Sequence, residues 1–274
     1  MQITYWFNDN IKNRLSTFDE LIELENYNDI MGIQCSSMKL TLLPKLPNSL
    51  MELDCSNNKL TTLLDLPNSL IELNCSVNQL IVLTELPNSL RVLNCMWCQL
   101  TALPKLPYSL IELDCDSNYL KELPKLPSSL IYLRCTLNYL TVLQKLPTSL
   151  RYLCIGNNQL TMLPELPNSL EGLYCRDNQL TILPELPSNL RLVDCVNNQL
   201  TMLPKLPDLI EDYRYKDNPV YDYIQDECGD NLEIYYNENK TFANKIGTWF
   251  LECKYDPKYK YCRDRVDKEY DSYT

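Results

Sequence analysis

A leucine pattern that recurs every 20 residues constrains the fold of this chain more than any other feature. In the unit that starts at Leu50, leucine occupies positions 1, 4, 11, 14 and 17, and proline occupies position 18. The frame also starts at positions 30, 70, 90, 110, 130, 150, 170 and 190, which gives nine units over residues 30–209. A fixed period of this length predicts a stacked solenoid, in which each repeat buries its apolar side chains against its neighbours.

Each unit contains the signals of one short strand and one extended return. Positions 3 to 6 alternate between outward and inward side chains, as in Glu52-Leu53-Asp54-Cys55, which predicts a half-buried strand. Asparagine at position 9, such as Asn58, can exchange hydrogen bonds with the main chain of adjacent turns and so form a ladder. The Leu-Pro-x-Leu-Pro return holds closely spaced prolines, which exclude a useful helix and favour a polyproline-like wall.

These residues resemble the leucine-rich repeat family, in the short class written LxxLxVxxNxLxxLPxLPxx. That class is known from secreted bacterial effectors of the YopM and IpaH type, and the resemblance spans roughly residues 30–209. It implies a repeat solenoid: a curved array with a parallel β-sheet on the concave face, an extended Pro-rich convex side and short α-helical caps at both ends. The chain departs from the class by placing cysteine at position 6.

A second resemblance concerns the amino-acid composition of the chain and one segment of its tail. The cysteine-, asparagine-, tyrosine- and lysine-rich composition, together with the segment 249–263, is similar to repeat proteins of giant DNA viruses of amoebae, of the mimivirus type. This resemblance implies a viral origin.

The segments outside the array are predicted to be helical. Residues 1–29 are expected to form an N-terminal cap, in which Thr17 and Glu20 make a capping box ahead of a short helix. Phe18, Leu21 and Ile22 would share one face of that helix, covering the otherwise exposed first repeat.

Residues 210–274 lack the leucine frame and hold 11 of the 19 tyrosines. Pro219 is placed to open a helix that has Val220, Tyr223 and Ile224 on one face. Further helices are predicted across 242–253 and 261–270. The segment is therefore either a C-terminal cap or a small helical module.

Composition argues against several classes of function. The net charge of −11 disfavours binding to nucleic acid or to anionic lipid. The absence of histidine removes the commonest general base and the commonest metal ligand, and no glycine-rich phosphate loop is present. We therefore expect no enzymatic activity, no cofactor and no metal. No apolar run has the length of a membrane span or the pattern of a signal peptide, so a cytoplasmic location is predicted, in the host cytoplasm if the protein is viral. The protein is also expected to be a monomer.

The 13 cysteines follow the repeat and do not look like a disulfide framework. Eight of them share position 6, where they are predicted to be small buried hydrophobes in a reducing compartment. They are Cys35, Cys55, Cys75, Cys95, Cys115, Cys135, Cys175 and Cys195. The C-x-x-C pair Cys95 and Cys98 is likewise predicted to consist of structural repeat residues and not to form a redox or zinc site. Cys154 lies at position 5 of its repeat and not at position 6, so Ile155 should take the buried position and Cys154 should face outward. The Cys-x-Asp motif of the IpaH-type ubiquitin ligases occurs three times, but the tail is too short for that ligase domain.

The candidate binding residues lie at positions 3, 5, 7 and 8, which are predicted to face solvent on the concave side. Exposed aromatic and arginine side chains are the types that anchor protein interfaces, and an acidic rim would steer a partner. The candidate anchors are Met96, Trp97, Tyr132, Arg134, Tyr152, Tyr174 and Arg176, and the candidate rim is Glu52, Asp54 and Glu72.

The sequence therefore predicts a non-enzymatic module for protein–protein interaction, which would act in virus–host interaction if the viral resemblance holds. An alternative stays open. The chain could be an adaptor, whose repeats select a target while the tail 210–274 recruits a second factor such as ubiquitin machinery. Deleting the tail would separate these two hypotheses.

Overall fold

The computed structural model of the chain describes residues 2–8, 11–228 and 231–236, and it divides into two units after Pro219. In the first unit, 12 strands form one sheet with the order β12-β11-β10-β9-β8-β7-β6-β5-β4-β3-β1-β2. The strands are β1 (Ile3–Trp6), β2 (Asn13–Leu15), β3 (Gly32–Gln34), β4 (Glu52–Asp54), β5 (Glu72–Asn74), β6 (Val92–Asn94), β7 (Glu112–Asp114), β8 (Tyr132–Arg134), β9 (Tyr152–Cys154), β10 (Gly172–Tyr174), β11 (Leu192–Asp194) and β12 (Asp212–Arg214).

The strands from β3 to β12 pair in parallel with a register shift of one whole repeat. Leu53 lies opposite Leu73, for example, and every other pair in this part of the sheet is also 20 residues apart. Equal repeat positions therefore stack in rows along the solenoid, as the period predicted. The Pro-rich returns contain no helix.

The core is built from the leucine rows and the cysteine row. Leu50, Leu60 and Cys55 are fully buried, and Leu53 and Leu63 expose 2% and 1% of their surface. Burying a leucine side chain stabilises a fold by about 1.5–3 kcal/mol, and each of the seven repeats over residues 50–189 contributes at least four such side chains. Because the cysteines are as buried as these leucines, their prediction as small core residues is confirmed.

The position-9 asparagines form the predicted ladder. Asn78 Nδ2 lies 3.0 Å from Cys75 O, 3.2 Å from Ser76 O and 3.1 Å from Cys55 O of the preceding repeat. Its Oδ1 accepts from Leu60 N at 3.0 Å. One buried amide thus satisfies main-chain groups of two repeats, which would otherwise be left without partners in the core.

The serines at position 20 fasten each return to the repeat before it. Ser69 Oγ lies 2.7 Å from Asn48 O and 2.6 Å from Leu50 O, so its single proton is shared between two carbonyl groups. A turn closes beside it, where Leu70 N donates to Pro67 O at 3.1 Å.

The first repeat is covered by a strand, which the sequence analysis did not predict. β1 pairs antiparallel with both β3 and β2. The Trp6 ring lies directly over Gly32, where an added Cβ would stand only 1.9 Å from Trp6 Cε2. Gly32 is therefore needed for the close approach of the indole, which is 5% exposed.

The predicted short N-terminal helix is present. Helix α1 (Phe18–Ile22) has Thr17 as its N-cap, and Thr17 Oγ1 accepts from Glu20 N at 3.3 Å. Glu20 Oε2 accepts from Ser16 N at 2.9 Å, which completes the capping interaction. Leu21 is fully buried, whereas Ile22 is 43% exposed, so the apolar face is narrower than the sequence suggested.

The sheet continues past residue 209, where the leucine frame ends. β12 pairs in parallel with β11, and Asn218 occupies position 9 of this additional unit. Asn218 Nδ2 lies 2.9 Å from both Cys195 O and Tyr215 O, and its Oδ1 accepts from Leu200 N. Tyrosine replaces the usual small or aliphatic core residue here, which is why the leucine pattern alone does not reveal the unit.

Helix α2 (Pro219–Cys228) begins at the predicted proline, and Val220 and Ile224 are buried as expected. Tyr223, predicted to share their face, is 48% exposed. The predicted helices across 242–253 and 261–270 lie outside the described residues. Among the described residues, no helix has both the length and the apolar character required to cross a bilayer.

Candidate protein-binding face

The side of the sheet that carries positions 3 and 5 faces solvent, because the strand pleat turns positions 4 and 6 into the core. We call this side the sheet face. In β4, Glu52 is exposed and Asp54 half-buried, while Leu53 and Cys55 are buried. The predicted alternation is therefore confirmed.

Position 5 has a structural role that the sequence analysis missed. Asp54 Oδ1 accepts from Ser56 N at 3.0 Å, and Asp114 Oδ1 accepts from Asp116 N at 3.1 Å. The same bond to the amide two residues ahead ends the strand at Asn74, Asn94 and Asp194. These are Asx turns, which Asp and Asn favour because a short side-chain oxygen reaches that amide. The recurrence of Asp or Asn at position 5 was the available signal. Asp54, predicted to lie on a binding rim, thus also holds the fold.

Three neighbouring repeats inside the array lack this bond, as do the end strands β3 and β12, where position 5 is Gln34 and Arg214. Position 5 is Arg134 in β8, Cys154 in β9 and Tyr174 in β10, and none of these side chains forms the turn. Position 3 changes in the same strands. The six residues form one block, which we call the tyrosine patch: Tyr132, Arg134, Tyr152, Cys154, Gly172 and Tyr174.

Two tyrosines of the patch are held in fixed orientations. The rings of Tyr132 and Tyr152 stack with centroids 5.1 Å apart and planes 2° from parallel. Tyr152 Oη donates to Glu171 Oε2 at 3.0 Å, while Arg151 Nε donates to Glu171 Oε1 at 2.8 Å. The hydrogen bond from Arg151 holds the pKa of Glu171 below its usual range, so the acceptor is ionised at neutral pH.

Gly172 makes room for the third tyrosine. A Cβ at this position would lie 2.9 Å from Tyr152 Cδ1 and 3.1 Å from Tyr174 Cε2. Two rings therefore converge over the glycine, and Tyr174 is half-buried as a result.

Arg134 is exposed and forms no ion pair with any residue in the described part of the chain. Acidic side chains lie within electrostatic range of it. Burial, and then the neighbouring charge of Asp114, raise the pKa of Asp116 to about 6, while Arg134 acts in the opposite direction. Burial likewise raises the pKa of Asp114. The patch thus contains an available cation beside two partly desolvated carboxyl groups.

Cys154 lies at the centre of the patch and faces outward, while Ile155 is buried, as predicted. Burial raises the pKa of the Cys154 thiol to about 11, and Arg134 lowers it only in part. The thiol is therefore protonated at neutral pH, which disfavours reactivity as a nucleophile.

Trp97 belongs to a different surface from the tyrosines. It is 60% exposed and has a φ of 52°, in the turn that follows β6. It lines a groove of about 600 Å³ together with Tyr119, Leu137 and Tyr139, which we call the turn groove. Tyr119 and Tyr139 stack with centroids 6.1 Å apart. The sequence analysis missed both, since it considered positions 3, 5, 7 and 8, whereas they lie at position 10.

The other predicted site residues have local partners. Arg176 Nε donates to Asp177 Oδ2 at 2.7 Å, and Met96 is half-buried next to Trp97. Glu52 lies opposite Glu72 in the sheet. Burial, followed by repulsion from Glu72, raises the pKa of Glu52. The structure therefore groups Tyr132, Arg134, Tyr152 and Tyr174, and separates them from the other candidates.

The C-x-x-C pair resembles the rest of the cysteine row. Cys95 is fully buried and Cys98 is 7% exposed. Cys98 Sγ donates to Cys75 O at 3.4 Å, in place of the missing asparagine. Within the described ranges, no cluster of three or more histidine, cysteine or acidic residues could hold a metal ion.

Comparison with known proteins supports the architecture. No protein-family model and no curated protein sequence matches the chain. Among solved structures, YopM from Yersinia enterocolitica WA-314 is 43% identical over 65% of this chain, with a TM-score of 0.65. A Shigella effector leucine-rich repeat domain is 33% identical over 54% of this chain and 69% of its own, with a TM-score of 0.51.

A more distant match comes from an octameric complex of Latrophilin 3, Unc5D and the leucine-rich repeats of FLRT2. It is 25% identical, covers 72% of this chain and 70% of the other, and has a TM-score of 0.63. The chain spans only 40% of the length of the YopM structure. The 20-residue period, the parallel register, the asparagine ladder and these similarities agree, and the chain belongs to the leucine-rich repeat family.

Proposed function

We propose that the protein binds a protein partner through the tyrosine patch of its sheet face. One observation carries the proposal. From β4 to β11, position 5 closes a stabilising Asx turn in every strand except three adjacent ones, where it is Arg134, Cys154 or Tyr174. Positions that depart together from a local structural rule are expected at functional sites, where stability is given up for function.

The chemistry of the patch supports a protein ligand. Tyrosine and arginine are enriched among residues that dominate the binding energy of interfaces. Glu171 and the stacking with Tyr132 fix Tyr152 before any partner arrives, which lowers the entropic cost of binding. The leucine-rich repeats of FLRT2 take part in a multiprotein complex, as the name of that structure states, and this precedent supports the same class of activity here.

The test uses two kinds of patch variant in cross-linked capture from host-cell lysate. Tyr152→Ala removes an anchor, and Tyr174→Asn replaces another with a residue able to restore the Asx turn. Met162→Ala is the matched control, because Met162 is 63% exposed but lies at position 13, outside the sheet face. We expect both patch variants to lose the captured partner and the control to keep it.

Thermal unfolding separates binding from folding in this experiment. Since Tyr174→Asn can form the missing turn, its melting temperature should equal or exceed that of the unmodified protein while capture is lost. A partner retained by both patch variants would refute the assignment to the tyrosine patch.

The viral origin, the location in a host cytoplasm and the adaptor role remain predictions. An origin in a giant virus and action in a host cytoplasm are supported only by the resemblance in composition and in the segment 249–263, and the solved structures described above are bacterial effectors and a FLRT2 complex. The adaptor alternative depends on the tail, most of which lies outside the described residues.

A further inference from the structure

A groove on the Pro-rich wall carries an unusual charge pattern. Position 16, the variable residue of Leu-Pro-x-Leu-Pro, is Lys105, Lys125 and Lys145 in three successive repeats. All three are exposed and line a groove of about 440 Å³ with Tyr108 and Gln144. We call this the lysine groove.

The charge of these lysines is not neutralised locally. None of them forms an ion pair with any residue in the described ranges. Lys105 Nζ lies 5.6 Å from the centroid of the Tyr108 ring, which is a cation–π contact with an exposed aromatic. A run of like charges in one groove is unfavourable by itself, and it is more conspicuous on a chain with a net charge of −11.

The acids that border the groove limit what can occupy it. The same repeat position is Glu85 before the run and Glu165 after it. Neighbouring repeats are spaced ~4.8 Å apart in the sheet, so the lysines cover roughly 10 Å along the solenoid. An extended peptide rises ~3.3 Å per residue, so a few consecutive acidic residues match that length. A nucleic acid would continue past the run and meet the bordering acids and the acidic protein as a whole.

We propose that the lysine groove is a second docking surface, which binds a short acidic segment of a partner protein. It lies on the returns at positions 15–19, whereas the tyrosine patch lies on the strands at positions 3 and 5, so the two surfaces are separate along every repeat. The protein can then engage a second protein without using its sheet face.

The experiment measures fluorescence anisotropy of a labelled hexaglutamate peptide titrated with the full chain at low salt. The triple variant K105Q/K125Q/K145Q should weaken binding by roughly tenfold or more, because the complementary charge is lost. The matched control K45Q/K59Q/K205Q removes the same net charge at other exposed lysines, two of them at position 16, and should leave the affinity unchanged. Circular dichroism checks that both variants fold.

Two further probes make the outcome decisive. A ten-nucleotide oligothymidine should bind more weakly than the peptide, and Tyr152→Ala should bind the peptide as the unmodified protein does. The proposal is overturned if the peptide does not bind, if the control weakens binding as much as the triple variant, or if the oligonucleotide binds more tightly through the same lysines. Since Tyr152→Ala tests the tyrosine patch alone, a failure of one proposal leaves the other intact.

Discussion

At the scale of single residues, the turn after each strand imposes a left-handed conformation on whatever side chain occupies position 8. Five of these residues are Asn or Asp, the types that tolerate positive φ best, as at Asn57 with a φ of 51°. Val77 has a φ of 54°, although its β-branched side chain disfavours that region strongly. Trp97 and Leu137 accept the same strain and line the turn groove. The strained positions therefore include exposed apolar residues that do not serve the core.

Val77→Asn should stabilise the protein by about 1 kcal/mol, because asparagine adopts the left-handed region at lower cost than valine. Urea unfolding measures the change. Val82→Asn is the matched control: Val82 is 60% exposed, and it is not among the residues with positive φ. An equal gain in the control would show that surface polarity, and not backbone conformation, causes the effect.

Asp116 provides a prediction about pH. Its folded-state pKa of about 6 exceeds the ordinary value of 3.8, owing first to burial and then to Asp114. Because the folded state holds this proton more tightly than the unfolded state, Asp116 contributes stability that is fully present at a pH below 3.8. This contribution is lost as the pH rises through 6. Asp116 Oδ1 also accepts from Thr136 N, a bond that an asparagine oxygen can keep.

Asp116→Asn should therefore stabilise the protein by about 1 kcal/mol at pH 8, after allowance for solvent screening of this half-buried group. The difference should shrink as pH falls through 6 and vanish near pH 4. The groups that face Asp116 are Asp114 and Arg134, so the variant Arg134→Gln should raise the apparent pKa further. A difference between Asp116→Asn and the unmodified protein that does not change between pH 4 and 8 would contradict this account.

At the scale of the elements, the strand β1 shows how the solenoid protects its first repeat. β1 presents hydrogen bonds to one edge of β3 and places Trp6 over Gly32. A solenoid needs such a cover because its terminal repeat has no neighbour on one side. The sequence analysis placed a cap in residues 1–29 but assigned the covering role to the helix alone.

Gly32→Ala should destabilise the protein by about 2 kcal/mol or more, because the new Cβ would overlap the buried Trp6 ring. Gly156→Ala is the control. Its Cβ would lie 3.1 Å from Cγ of the exposed Arg176 side chain and 3.2 Å from Arg176 O, so its neighbours would shift by only a few tenths of an ångström, far less than at Gly32. Guanidinium unfolding of both variants makes the comparison, and equal losses would argue against a special role for the indole.

Much of the fold follows from the sequence because the repeat converts distant contacts into a local rule. Once Leu53 and Leu73 are recognised as equivalent, their pairing, the asparagine ladder and the buried cysteine row follow without further information. The site was predicted only in part. Positions 3 and 5 identified Tyr132, Arg134 and Tyr152, but the turn at position 10 and the wall at position 16 carry surfaces that a strand-based reading does not consider.

At the scale of the whole molecule, stability is expected to be close to a sum over repeats and over the interfaces between them. The last interface in the array is the one that the leucine frame conceals. β12 extends the sheet, and Asn218 serves Cys195 O and Leu200 N of the preceding repeat. Without this unit, the edge of β11 and part of the asparagine ladder would lose their partners.

A chain that ends at residue 209 should therefore melt at least ~5 °C below a chain that ends at residue 218, since a loss of a few kcal/mol shifts the melting temperature of a domain of this size by that amount. In the full chain, Asn218→Ala should lower the melting temperature in the same direction, because buried main-chain groups lose their partners. The second variant keeps the length of the chain, so it isolates the ladder from the effect of truncation. Equal melting temperatures for the two truncated chains, together with no change in Asn218→Ala, would mean that the array is already complete at residue 209 and that β12 adds strand pairing without stability.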